Sequence, residues 1–70
     1  LLRAGRASDA VAVFRLNVEE HLDSGNAWDS LGEGLAAAGE RDEAIRSYAR
    51  SLQLTPGNRN AVRQLAGLMR

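Results

Sequence analysis

Three small constellations carry groups that could do chemistry. His21, the one histidine, lies near Glu19, Glu20 and Asp23, an imidazole with three carboxylates that could be read as a metal site. One nitrogen donor with surface carboxylates is a poor ligand set, so His21 reads as a solvated residue at a helix end, and neither metal nor other cofactor is expected. Asp29 and Glu33 stand four residues apart, on one helical face, which is a spacing open to an acid–base pair. Such a pair needs a closed pocket that raises one pKa. A short helical surface supplies none, so the pair reads as a polar face. Gly32-Glu33-Gly34 is no phosphate loop, since it falls inside a helical pattern with no strand before it and no lysine.

Composition removes further classes. The 70 residues hold no cysteine, which excludes disulfides, thiolate catalysis and cysteine zinc sites. Nine basic residues balance nine acidic ones, and all nine are arginine, scattered among the acids. That pattern gives no case for nucleic acid or an anionic membrane. No apolar run reaches the roughly 20 residues of a membrane span, and no signal segment opens the chain. The chain reads as soluble, with cytoplasm and periplasm both open. Leu1-Leu2-Arg3-Ala4-Gly5 reads like the tail of a helix ended by glycine, so a fragment of a longer protein is expected.

These residues must be positioned by helices. Apolar spacing predicts a helix from Ser8 to about His21, with Ser8 or Asp9 near its start and Ala10, Val11, Phe14 and Val18 on its stripe. A second runs from about Asn26 to Ala38 on Trp28, Leu31, Leu35 and Ala38, and Gly39 terminates it. Gly32 calls for a close helix contact, whereas Gly34 has no evident reason. After a Glu40-Arg41 turn, a third helix runs from about Asp42 to Leu54 with Ala44, Ile45, Tyr48, Leu52 and Leu54 apolar. Pro56-Gly57 stops it. Asn58 caps a fourth, about Arg59 to Met69, with Val62, Leu65, Leu68 and Met69 as its stripe. No strand pattern appears. The expectation is an all-α, antiparallel array of about four helices joined by short turns.

The helices repeat. Ala10 and Phe14 return as Ala44 and Tyr48, Asn26-Ala27 as Asn60-Ala61, and Leu1, Ala4 and Gly5 as Leu35, Ala38 and Gly39. The interval is 34 residues throughout, a period of stacked-repeat proteins. Trp28-x-x-Leu31-Gly32-x-x-Leu35, Gly39, Ala44-x-x-x-Tyr48 and Pro56 resembles the tetratricopeptide repeat. Leu35 and Tyr48 stand where Tyr and Phe are usual, and Ser51 replaces a common small alanine.

The resemblance implies a helix–turn–helix superhelix. Residues 1–24 would be the second helix of a partial repeat, 25–58 a complete repeat, and 59–70 a capping helix with Arg59, Arg63 and Arg70 outward. It implies a non-catalytic module that binds a protein or peptide through a groove lined by the first helices. The groove positions would be Asn26, Asp29, Glu33 and Ala37, then Asn60, Arg63 and Gly67. Asp29 and Glu33 there would favour a basic or polar peptide and repel a terminal carboxylate. The first helix would lack its partner, so self-association is expected through Leu1, Leu2, Val11 and Phe14. A second resemblance, through Phe14–His21 and Asp29–Glu33, is to the repeat-bearing tails of bacterial serine hydrolases. That resemblance implies the alternative role, a structural or oligomerisation tail of a catalytic domain outside this chain.

Overall fold

The computed structural model describes the backbone of residues 4–70 and side chains from Ser8 onward. Four helices follow in order: α1 Ala4–Glu20, α2 Gly25–Ala37, α3 Arg41–Leu54 and α4 Arg59–Leu68. Each packs against its neighbour in sequence, and the α2–α3 pairing is the most extensive. The all-α reading therefore holds. The result is a slab of 31 × 31 × 18 Å.

α1 begins earlier than the sequence pattern indicates. Ser8 and Asp9 lie inside it rather than at its cap, and Gly5 continues the helix instead of ending one. A glycine inside a long helix costs only about 1 kcal/mol, and no proline interrupts this stretch. Val11 and Val18 are buried while Phe14 is half-buried, so the inward stripe has helical spacing.

Local chemistry sets the other boundaries. The Ser24 side chain accepts from Ala27 N at 3.1 Å and caps α2. At its far end Gly39 takes φ +82°, the left-handed conformation a glycine tolerates. Gly39 N donates to Ala36 O at 3.1 Å and Glu40 N to Leu35 O at 2.9 Å, a Schellman closure. Arg41 therefore belongs to α3 and not to the preceding turn. Asp42 and Glu43 occupy the first turn of α3, where the helix dipole favours acids. Asn58 caps α4 by accepting from Ala61 N at 3.2 Å.

The core is Val11, Val18, Ala27, Leu31, Leu35 and Ala44, with Phe14, Trp28 and Leu68 packed against it. Two glycines permit the closest approaches. A Cβ at Gly32 would stand 2.9 Å from the Tyr48 ring, and one at Gly34 would stand 2.7 Å from the Phe14 ring. Gly34 thus has a reason that the sequence does not reveal: α1 is seated on it. On α4 the expected stripe is corrected. Ala61 is buried, whereas Val62 and Met69 are 52% and 63% exposed. Only one flank of α4 meets α3, and Val62 lies about 100° around the helix from Ala61.

Candidate functional site

α2 and α4 present a polar cleft of about 580 Å³. Asn26, Asp29, Ser30 and Glu33 line it from α2, and Thr55, Asn58 and Asn60 from the α3–α4 side. The α2 residues are spaced three or four apart, apart from the adjacent pair Asp29-Ser30, so a single helical face delivers them. The lining includes two carboxylates and no basic side chain.

Asp29 is the node of the site. Asn58 Nδ2 donates to Asp29 Oδ2 at 2.7 Å and to Ser51 Oγ at 3.0 Å. Asn60 Nδ2 donates to Asp29 Oδ1 at 3.0 Å and Oδ2 at 3.2 Å. Ser51, fully buried, donates in turn to Gly25 O at 2.7 Å. A continuous chain of hydrogen bonds therefore ties α2, α3 and α4 together beneath the cleft. These bonds involve charge at Asp29 only, which strengthens them and orients its carboxylate.

Tyr48 lies against Gly32, between the two acids along α2, and is 1% exposed. Burial, then the charges of Asp29 and Glu33, push its phenol pKa up to about 12. The hydroxyl therefore stays protonated and neutral at any physiological pH.

Four of the seven expected groove residues, Asn26, Asp29, Glu33 and Asn60, come together in the cleft, and Ala37 and Gly67 do not line it. Arg63 is exposed but does not line it. It follows Asn60 by three residues and lies beyond the turn that reaches α2. Ser30, Thr55 and Asn58 were not foreseen as lining. Ser30 follows Asn26 by four residues, so helical spacing alone could have found it.

The self-association residues fare differently. Leu1 and Leu2 fall outside the described residues. Val11 is buried and Phe14 half-buried, both turned to α2 at Gly34. The face of α1 expected to be uncovered is therefore covered by α2, and its exposed apolar side chains are Val13 and Leu16. A smaller cleft of about 210 Å³ lies between α1 and α2, lined by Arg15, Val18, Glu19, Leu22, Trp28 and Leu31. Trp28 Nε1 donates to Leu22 O there at 3.0 Å. His21 is exposed, and among the described residues no group of three potential metal ligands comes together. No helix among them is long and apolar enough to cross a membrane.

A family model described as the tetratricopeptide repeat matches residues 25–68, which spans α2, α3 and α4. The chain belongs to the tetratricopeptide-repeat family. Members of this family are protein-interaction modules. A relative, a peroxisomal targeting signal receptor of Yarrowia lipolytica, is 36% identical over 62 residues. That match covers 89% of this chain and 10% of the receptor, so the chain spans about a tenth of its relative's length.

Proposed function

We propose that this tetratricopeptide-repeat chain is a non-catalytic module that holds a segment of a partner protein in the cleft between α2 and α4. The observation that carries this reading is a preformed polar cleft with side chains fixed by internal hydrogen bonds. Preorganised groups lose little entropy when a ligand arrives. Its volume of about 580 Å³ suits a few side chains rather than a whole folded surface. The similar receptor is named for a targeting signal, which accords with recognition of a protein segment. With two acids and no base in the lining, a polar or basic segment fits and a terminal carboxylate does not.

Bracing or oligomerising an attached domain is the alternative role. It would use the outer faces and leave the cleft idle, so the two roles separate cleanly. Random-sequence peptides displayed on phage can be selected on the immobilised chain and rebound to an Asn26→Trp variant. Asn26 is exposed at the cleft mouth, and an indole there would fill the opening without disturbing the core. The selected peptides are expected to lose the variant while its helicity by circular dichroism is unchanged. Undiminished binding to the variant would overturn the cleft as the binding face.

A further inference from the structure

The 34-residue repeat gives each helix an equivalent, α1 corresponding to α3 and α4 to α2. α2 and α3 form the most extensive pairing of the molecule. In it α3 buries Ala44, Ser47, Tyr48 and Ser51, with the Tyr48 ring on Gly32 and Ser51 Oγ donating to Gly25 O at 2.7 Å. The same positions of α1 are Ala10, Val13, Phe14 and Asn17. None of these four is buried, and Val13 is 63% exposed. On α4, Val62, Ala66 and Met69 stand where α2 has Trp28, Gly32 and Leu35, and all three are exposed. Their spacing of four and three residues makes one apolar stripe. The open faces of α1 and α4 are thus equivalent to the two halves of the interface between α3 and α2. None of these residues lines the polar cleft.

Charge distinguishes the two faces. α4 carries Arg59 and Arg63, with Arg70 just beyond, and no acid. Among its described side chains α1 presents Asp9, Glu19 and Glu20, all exposed, while its Arg15 is paired with Glu43. Two α4 faces together would gather arginines, and two α1 faces would gather acids. The complementary arrangement is α4 against α1.

We propose that a second copy of this chain docks head to tail, its α1 lying on α4 of the first copy in the register of α3 on α2. Phe14 of the second copy then meets Ala66 of the first, as Tyr48 meets Gly32. Val13 and Met69 supply apolar surface that docking removes from water. A Cβ at Gly32 would stand 2.9 Å from the Tyr48 ring, so the Ala66 methyl holds the copies further apart than α2 and α3. The contact is accordingly weaker than the pairing within one chain. Such a contact is heterologous and leaves one open face at each end, so growth continues past two copies.

Sedimentation equilibrium of the 70-residue chain tests this, from about 0.01 to about 2 mM, the range of weak association. The average mass is expected to rise with concentration and to pass that of two chains. Val13→Glu spoils the α1 face alone and Ala66→Glu the α4 face alone, both at exposed positions, so helicity should be unchanged. Each variant by itself should associate at least about tenfold more weakly, because a carboxylate would be buried in an apolar contact. An equimolar mixture of the two still holds one intact α4 and one intact α1. It should therefore form a pair of chains and stop there. A chain that stays single at every concentration, or a wild type that levels off at two copies, would overturn the proposal. So would undiminished growth of either variant alone, or a mixture that forms no pair.

Discussion

A methyl group added at Gly34 would stand 2.7 Å from Phe14 Cδ2, while one added at Gly67 would meet nothing within 4 Å. Both glycines are helical, so both replacements gain up to about 1 kcal/mol of propensity. At Gly34 the clash prevails, because overpacking a seated interface costs about 1–3 kcal/mol. Urea denaturation should therefore show Gly34→Ala destabilised by about 1 kcal/mol, and Phe14→Leu in the same chain should restore part of the loss. Gly67→Ala should stabilise by about 0.5 kcal/mol. Tyr48 gives a second check at this scale. Its folded pKa of about 12 exceeds the ordinary value of 10.0, so the folded state holds the proton more tightly. The resulting stability is complete below pH 10 and is lost as pH rises through 12. Tyr48 is the single tyrosine, so phenolate absorbance reports it alone. Ionisation is expected near pH 12 in the folded chain and near 10 in urea.

The helices were legible because their signals are local. Gly39, Pro56 and Asn58 mark ends and starts by their own conformational preferences, and the structure uses Gly39 as terminator and Asn58 as cap. The early start of α1 was not legible, since Ser8-Asp9 imitates a cap and nothing in a single sequence says that a helix already underway runs past it. The hydrogen bonds from Asn58 and Asn60 to Asp29 were hidden for another reason. They join positions some 30 residues apart, where spacing carries no information. For the same reason the place of Gly34 under Phe14 could not be read. Asn58 now has three duties, as a cap, as a donor to Asp29 and as a donor to Ser51. Asn58→Ala should cost about 2 kcal/mol, above an ordinary cap loss of about 1, while Asn58→Ser, which keeps the cap, should cost less. Amide exchange should locate the damage, with α4 opening first and the α2–α3 pair still protected.

The four helices form a short stack in which every helix leans on its neighbour in the chain. Among the described residues one charged contact joins α1 and α3, Arg15 to Glu43 at 2.7 Å, which is exposed and adds about 0–1 kcal/mol at most. Cohesion therefore comes from the α2–α3 pairing and from the hydrogen-bond chain that crosses to α4. A chain of this size is marginally stable, so a ligand bridging α2 and α4 should raise its unfolding midpoint in proportion to occupancy. The groove positions were expected from the resemblance to the repeat family, and four of the seven meet in the cleft. That Asp29 is tied by Asn58 and Asn60 was a property of the assembled whole. The most direct measurement is the footprint, by backbone amide shifts, of a peptide selected on this chain from a random library. Shifts centred on Asn26, Asp29, Ser30, Glu33, Asn58 and Asn60 are the result this account predicts. A footprint centred instead on Val13 and Leu16 of α1, or on Val62 and Met69 at the end of the chain, would contradict it.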